Sequence, residues 1–554
     1  MIEIDLTKEI SRRQVLQRLG LGGAMLSLPG LLAACGGDDS SSSSTTGGLS
    51  KGSSAEIDSV TWTLSSAPPT LDLSTGFTLS ALLAIITSLE GTMTVDDQLR
   101  LKPLLATAFR QPDPTTYVYT VRRGVRYWDG TLMTPEDVAY SFARHADPDA
   151  GSQLGGYFGD FESVKVTGED EVTIKMKQPD PIFPFAVPTL AFVLPQKFVE
   201  RQGRQLGVAG GSTVNTMGTG PYIITSFDDT ELTLERNDDY WGDKPPVRAA
   251  KLKFISNPQT SLLAIRSGES DGMFDLPDVG GKSWDRLPSA RAVYAPGMWV
   301  DMLAFNVEAE PWNDVHVRRA VAHALDRDGY VKAFLGGHAR AAAAIVAPEQ
   351  WAAVASSDEV DALYARIPQY EYDLDAARRE LAQSRYPDGF TASVQYPNDE
   401  PAVGRALVSL SEALKQIGVT LDVREVTHDK WNADWHAHKD LGLTYMSFGP
   451  DAADPVNYVA LVYPSKNATE NSFNVANFRS TEVDDLLDKQ ANSTDKRERA
   501  DAIGQILEIS GEDLPYLPLW WKDTGMAIND RITYPGFNTL YYLQNWLALL
   551  RSTA

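Results

Sequence analysis

The chain is 554 residues long, more than one hydrophobic core accommodates, so we expect two or three domains. Its formal net charge is −24, and a surface this acidic disfavours nucleic acid as a partner. The single cysteine, Cys35, excludes an intrachain disulfide and any site built from paired cysteines.

The N-terminal segment has the layout of an export signal. Arg12 and Arg13 precede an uncharged, glycine-rich apolar run over residues 19–34, which is shorter than the about 20 residues of a spanning helix. The arginine pair resembles a twin-arginine signal, and the final "LAAC" resembles a lipoprotein box. We expect cleavage before Cys35 and a lipid on its thiol. A buried N-terminal helix is the alternative.

Residues 36–54 are mostly Gly, Ser, Asp and Thr and contain almost nothing that could be buried. This composition predicts a flexible tether. No later stretch approaches the length of a membrane span. Lipid and tether together predict a chain that is held at a membrane surface without crossing it.

One segment in the first half of the chain predicts a strand, a turn and a helix in succession. Residues 116–130, "TYVYTVRRGVRYWDG", alternate like a strand and turn at their end. A helix follows, with Thr134 as N-cap, Pro135 at its first position and Asp137 completing a capping box. The segments "EVTIKMK" and "ELTLER" alternate as further strands.

Strong helix signals dominate the second half of the chain. Residues 313–336 have an apolar stripe at helical spacing, Asn313 or Asp314 as a cap and Gly336 as a stop. Two more capped amphipathic helices begin at "STEVDDLLDKQ" and "STDKRERADAIGQILEISG". Strands and helices alternate throughout, so the sequence predicts an α/β protein.

Recognisable catalytic motifs are missing from the sequence. There is no nucleophile elbow and no HExxH motif. His436 and His438 are the only closely spaced histidines, and two solvated side chains near a helix end explain them better than a metal site, because no ligand pattern accompanies them. We therefore predict no enzymatic activity, no metal and no cofactor, although catalytic carboxylates can come together from distant positions.

The chain after the tether resembles the extracellular solute-binding proteins of family 5, the receptors of peptide- and nickel-type ATP-driven importers. The resemblance rests on an ordered series of motifs rather than on any one of them. In chain order these are "LLATAFRQPDPTTYVYTVRRGVRYWDGTLMTPEDVAYSFAR", "GTGPYIITSF", "LERNDDYWGDKPPV", "AIRSGESDG", "LAFNVEAEPWNDVHVRRAVAHALDRDGYV", "YDLDAARRELAQSRYPDGF", "ALKQIGVTLDV", "STEVDDLLDKQ" and "LPYLPLWW".

The resemblance implies a two-lobed α/β fold of the type II periplasmic-binding-protein class, with a cleft between lobes joined by two hinge segments, near Val300 and Leu514. The implied boundaries are a signal peptide over 1–34, the lipidated cysteine and tether over 35–54, lobe I over 55–98, 216–299 and 515–554, its inserted subdomain over 99–215, and lobe II over 300–514.

The resemblance also implies candidate ligand residues. In the peptide-binding branch, an Asp after a strand of the second lobe holds the peptide's α-ammonium, and an aromatic residue lies three positions earlier. These positions are Asp451 and Phe448 here, although Asp451 could instead cap its own Pro/Asp-rich loop. Trp299, Trp520 and Trp521 flank the two crossings and are candidates for the cleft, with core packing as the alternative.

The implied function is that of a lipid-anchored receptor on the extracytoplasmic face of the cell membrane. It would capture peptides by hinge closure and deliver them, as a monomer, to a permease and its ATPase. The same fold could instead bind a nickel complex, a sugar or another small solute, or act as a surface sensor. A lipid-anchored secreted hydrolase is the alternative from a different class, and clustered titratable groups in one pocket would favour it.

Overall fold

The computed structural model describes residues 49–147, 150–212, 214–276, 283–284, 286–438, 441–449 and 452–554. The predicted export signal and Cys35 lie outside these residues, as does Asp451. The predictions made for those positions therefore stay predictions.

Strands are numbered in chain order within the described ranges. They are β1 (Ile57–Leu64), β2 (Met93–Val95), β3 (Leu101–Pro103), β4 (Ala106–Asp113), β5 (Thr116–Val121), β6 (Phe161–Val166), β7 (Glu171–Met176), β8 (Tyr222–Phe227), β9 (Glu231–Arg236), β10 (Val247–Phe254), β11 (Gly272–Phe274), β12 (Ala290–Phe305), β13 (Ala339–Ala341), β14 (Thr391–Pro397), β15 (Thr420–Val426), β16 (Leu443–Phe448), β17 (Tyr516–Asn529), β18 (Ile532–Thr533) and β19 (Arg551–Ser552).

The α-helices are numbered in the same way. They are α1 (Leu79–Ile85), α2 (Pro135–Ala146), α3 (Phe183–Leu190), α4 (Gln196–Gln202), α5 (Pro258–Ser267), α6 (Val315–His323), α7 (Arg327–Phe334), α8 (Ser357–Tyr364), α9 (Leu374–Gln383), α10 (Pro401–Lys415), α11 (His428–His436), α12 (Val456–Val462), α13 (Thr481–Ala491), α14 (Lys496–Asp513) and α15 (Trp546–Leu549).

A nine-stranded mixed sheet runs through the molecule in the order β16-β12-β17-β11-β1-β10-β9-β8, and β13 also pairs with β17. Strand β1 is parallel to both β10 and β11, whereas β12 is antiparallel to both β16 and β17. Strands β4, β5, β7 and β6 form a separate four-stranded antiparallel sheet, and β14 pairs with β15 in parallel.

Helices cover both faces of the sheet where β12 pairs with β16. Successive residues of β12 enter different cores: Met302 and Ala304 belong to the core that also holds β1 and α14, whereas Leu303 and Phe305 belong to the core beneath α6 and α10. Because side chains alternate along a strand, a strand buried on both faces must be apolar at nearly every position. This requirement explains the apolar run after residue 301.

Two long strands join the two halves of the molecule. Strand β12 has 16 residues and β17 has 14. Residues 290–295 of β12 pair with the part of β17 that contacts β11, whereas residues 299–305 lie between β17 and β16. The register shifts between Ala295 and Trp299. Gly297 lies in this shift, where a Cβ atom would overlap the carbonyl oxygen of Lys522.

Most predicted elements form where their patterns indicate. The Thr134 hydroxyl accepts a hydrogen bond from the Asp137 amide, and the Asp137 carboxylate accepts one from the Thr134 amide, so the capping box is complete. Strands β5, β7 and β9 bury the alternating residues that predicted them, and α13 and α14 begin after Ser480 and Asp495.

The helix predicted over 313–336 is two helices. Asp314 caps α6, and the Asp326 carboxylate accepts a hydrogen bond from the Gly329 amide at 2.9 Å and caps α7. The second cap interrupts the helix although the apolar stripe continues, because Asp326 satisfies the amides of a new first turn.

The histidine pair also differs from its prediction. His436 is the last residue of α11, as expected for a helix end, but its ring stacks on Trp435 with centroids 3.7 Å apart, and the residue is only 8% exposed. His436 is therefore a packed side chain rather than a solvated one.

Candidate functional site

The strand ends of one half of the molecule meet where the two long strands cross into it. The parallel strands β14 and β15 both end at this edge, followed by Glu400 and His428, and β16 ends at Phe448. Trp299 of β12 pairs with Lys522 of β17 at the same level. In α/β proteins, ligands bind in crevices at the carboxyl ends of strands.

A buried ionic cluster lies at this edge. The Lys522 ammonium is 3.1 Å from an oxygen of Asp301 and 3.1 and 3.3 Å from the two oxygens of Glu400. The Asp301 carboxylate is wholly buried and also accepts hydrogen bonds from the Tyr445 hydroxyl at 3.0 Å and from the Trp520 indole at 2.7 Å. A buried carboxylate requires such donors.

The surroundings of Lys522 decide its charge and that of Glu400. Burial lowers the pKa of Lys522, but the charges of Asp301 and Glu400 have the larger combined effect and raise that pKa above its ordinary value. Burial raises the pKa of Glu400, and the Lys522 charge opposes that shift. The Glu400 side chain remains 33% exposed, whereas that of Asp301 is 1% exposed. Glu400 is therefore the solvent-facing acid of the cluster.

Trp299 presents an aromatic surface beside the cluster. Of the twelve tryptophans, Trp299 alone is exposed, with 39% of its surface accessible to solvent. The indole N–H donates to the Ser447 hydroxyl, and the ring centroid lies 5.9 Å from the Lys522 ammonium. A Cβ atom at Gly449 would overlap the ring, so a glycine is needed there. The exposed indole is thus held in place by both of its neighbours.

The other predicted aromatic residues lie deeper. Phe448 is half-buried and packs against Tyr458, whose hydroxyl donates to the Phe448 and Met298 carbonyls. Trp520 is fully buried with its N–H on Asp301. Trp521 is 4% exposed, and its indole nitrogen has no hydrogen-bond partner within the described part of the chain.

Arg340 covers the Trp521 ring. Its guanidinium lies 5.4 Å from the ring centroid, pairs with Glu349 at 2.8 Å and donates to the Gly297 carbonyl at 3.1 Å. Trp521 is therefore separated from solvent by an ion pair that also contacts the register shift of β12.

The structure thus brings Trp299, Phe448, Trp520 and Trp521 to one crossing, whereas Asp451 lies outside the described residues. Sequence reasoning missed the ionic cluster. Its signal was Asp301 within the apolar stretch "MWVDMLAF" and Lys522 directly after the apolar stretch "LPLWW". Opposite charges in two buried strands predict an ion pair between them, because neither charge could be buried alone.

Nowhere in the described ranges do three His, Cys, Asp or Glu side chains come together in a way that could hold a metal ion. None of the helices seen in those ranges is long and apolar enough to span a bilayer.

Two α/β halves joined by paired strands, with strand ends and an exposed aromatic residue at the junction, define a two-lobed solute-binding protein. A family model described as "Bacterial extracellular solute-binding proteins, family 5 Middle" matches residues 100–470. The chain belongs to this family, whose members act outside the cytoplasm as solute receptors of ATP-driven importers. This confirms the resemblance seen in the sequence.

Relatives of known identity bind different solutes. The glutathione-binding protein GsiB of Salmonella choleraesuis is 24% identical over 440 residues, which cover 78% of this chain and 82% of the relative. Solved structures of Helicobacter pylori DppA with the peptide STSA and Campylobacter jejuni NikZ with Ni(L-His) are each 19% identical, with TM-scores of 0.69 and 0.68. They cover 90% and 89% of this chain, each over 99% of its own length, and show the type II periplasmic-binding-protein fold.

Proposed function

We propose that this protein is a peptide-binding lipoprotein that captures its ligand between the lobes and delivers it to the permease and ATPase of an importer. The observation that carries the proposal is the exposed Trp299 indole at the edge where β12 and β17 cross between the lobes. A rigid aromatic surface at a junction of two lobes suits a ligand that is enclosed when they close.

Closure requires a hinge, and we place it at the register shift. Residues 296–298 of β12 lie between the segments that pair within each half, and residues 522–524 of β17 lie opposite them. This position differs from the second crossing expected near Leu514, which precedes β17. Boundaries of 300–514 for lobe II and 99–215 for the inserted subdomain remain part of the proposal.

The ligand contacts in this proposal are Trp299, Phe448 and Asp451. Trp299 and Phe448 offer exposed and half-buried aromatic surface, and Asp451 follows two residues after Gly449, which contacts Trp299. A carboxylate there would bind a peptide's α-ammonium by charge-assisted hydrogen bonds. Trp520 and Trp521 are buried, so in the proposal they position the crossing strands instead of touching ligand.

The membrane attachment in this proposal rests on sequence. The "LAAC" motif would place a lipid on Cys35, and residues 36–54 would separate that lipid from β1. The end of this predicted tether is not a free linker, because the Ser53 amide donates to the Ser552 carbonyl at 2.7 Å and Leu49 packs against the core. The protein would thus be exported with Arg12 and Arg13 as part of its signal and held on the extracytoplasmic face of the membrane. It would act there as a monomer, without a nucleic acid partner or a cofactor.

The test is thermal unfolding of the chain from residue 36 onward in the presence of solutes. The panel contains di- to hexapeptides, their N-acetylated forms, a nickel–histidine complex and oligosaccharides. A ligand at 100 times its Kd adds about 2.7 kcal/mol to the free energy of unfolding. Stabilisation by free-amine peptides alone supports the proposal, whereas stabilisation by the nickel complex or a sugar alone refutes the peptide assignment.

A matched pair of variants locates the binding site. Trp299→Ala removes the exposed indole of the crossing, and Tyr372→Ala removes another exposed aromatic side chain, 48% exposed and on the loop before α9. We expect Trp299→Ala to lose the ligand-induced shift and Tyr372→Ala to keep it. Equal shifts in the two variants would exclude the crossing as the binding site.

A further inference from the structure

We infer that Glu400 and Trp299 form a subsite for a cationic group of the ligand, an ammonium or a guanidinium. This inference rests on the proposed function, because it names the chemistry that the interlobe site selects. It concerns a carboxylate other than Asp451 and a position on a different strand end.

The first step is the charge of the cluster. Asp301 and Glu400 share one ammonium, that of Lys522, so the three groups carry one surplus negative charge. Asp301 is wholly buried and accepts from Tyr445, Trp520 and Ser447 in addition to Lys522, so its oxygens are saturated. The surplus charge is therefore available on Glu400.

The second step is exposure. Both Glu400 oxygens contact the Lys522 ammonium on one side, and 33% of the side chain faces solvent on the other. The exposed Trp299 ring lies 5.9 Å from the same ammonium. Glu400 and Trp299 thus lie on either side of the Lys522 ammonium, which already occupies the position between them. A ligand cation would therefore bind on the solvent-facing side, where it gains a charge-assisted hydrogen bond from the exposed part of Glu400 and a cation–π contact from the exposed face of Trp299.

The third step is the neighbouring charges, which oppose an anionic ligand group. Asp399 adds a further carboxylate, paired with the His428 ring at 2.9 Å. Arg340 is paired with Glu349 at 2.8 Å. Lys522 is thus the cation closest to the exposed ring, and two carboxylates already occupy it, so a ligand carboxylate would have to displace Glu400.

The experiment measures peptide affinity by titration calorimetry with the chain from residue 36 onward. The peptides are alanine tripeptides carrying lysine, norleucine or glutamate at each position in turn, with free and acetylated N-termini. Norleucine has the lysine stem without its charge, and acetylation separates the N-terminal ammonium from the side-chain cation. We expect a lysine peptide to bind about tenfold more tightly than its norleucine counterpart.

Glu400→Gln tests the assignment, with Glu412→Gln as its control. Both residues lie at or in α10, and Glu400 makes no side-chain cap to that helix, so the change leaves the helix start intact. We expect Glu400→Gln to abolish the lysine preference and Glu412→Gln to retain it. Trp299→Leu, which keeps an apolar side chain, should reduce the preference several-fold through loss of the cation–π contact.

Several outcomes would overturn the subsite. Equal affinity for lysine and norleucine peptides would refute it while leaving peptide binding intact. Tightest binding of the glutamate peptide, improved further by Glu400→Gln, would show that Lys522 takes a ligand carboxylate instead. If no peptide binds, the proposed function fails, and the subsite is tested with cadaverine against 1,5-pentanediol. Stabilisation by the diamine that depends on Glu400 would sustain it, and no difference would refute it.

Discussion

Asp523→Asn should stabilise the protein at neutral pH and lose this effect in acid. Asp523 is half-buried on β17, opposite the register shift of β12, and its main-chain amide donates to the His338 carbonyl. Burial raises the pKa of Asp523 to about 6, only partly opposed by the Arg340 charge. A raised pKa means that the folded state holds the proton more tightly than the unfolded chain does.

The sign and size follow from that difference. In the unfolded chain the carboxyl has its ordinary pKa of 3.8, so ionisation costs folded stability as pH rises from about 4 to about 6. A difference of about two pH units corresponds to about 3 kcal/mol, which partial solvent exposure reduces to about 1–2 kcal/mol. The neutral asparagine avoids this cost, and its amide oxygen can still accept from the Gly297 amide that contacts Asp523.

The assay is urea unfolding at one-unit steps from pH 4 to pH 8, followed by tryptophan fluorescence. We expect Asp523→Asn to exceed wild type at pH 7–8 by about 1–2 kcal/mol, and to match it at pH 4. Asp58→Asn changes an exposed carboxylate on β1 and is the control, with little effect at any pH. A gain that is independent of pH, or largest in acid, would refute the reasoning.

Three further perturbations test the crossing and the fold. Lys522→Met leaves Asp301 buried without a cation and should cost about 3–5 kcal/mol in urea unfolding, partly restored by Asp301→Asn in the same chain; a double variant no more stable than the single one would contradict this. Gly297→Ala places a Cβ against the Lys522 carbonyl and should lower the free energy of unfolding by about 1–3 kcal/mol. An unchanged Tm would contradict this and would show that β12 and β17 can move apart at this point without cost. Thr134→Ala removes half of the capping box and should cost about 1 kcal/mol, whereas Thr134→Ser should be close to wild type.

Local elements were predictable because their causes lie within a few residues. The Thr134 and Asp137 capping box needs only its own turn, and the alternation of β7 and β9 needs only a buried face. The prediction of one continuous helix over 313–336 was wrong, and the reason is also local. Asp326 satisfied both an N-cap and a helix-interior pattern, and the sequence alone did not decide between them.

The candidate site was less predictable because its parts are far apart in the chain. Glu400 and Lys522 are separated by 122 positions, and nothing near Glu400 indicates a charged partner. The family resemblance placed the tryptophans at the crossing, but it could not predict which of them are buried. Neighbouring residues of β17 point to opposite faces, and what covers each face comes from distant parts of the chain. Family motifs such as Asp129-Gly130 and Thr134 specify turns and caps, so they carry the fold and leave the ligand open.

The solitary exposure of Trp299 gives the protein a built-in optical probe. The other tryptophans are buried or partly buried, so a soluble quencher should act preferentially on the emission that arises at the crossing. The cluster of Lys522, Asp301 and Glu400 beside that indole carries one surplus negative charge, which repels iodide and attracts caesium. The ratio of quenching by these two ions would therefore report the charge around Trp299 without a label. When a cationic solute binds there, quenching by both ions should fall, because the indole is no longer exposed to solvent.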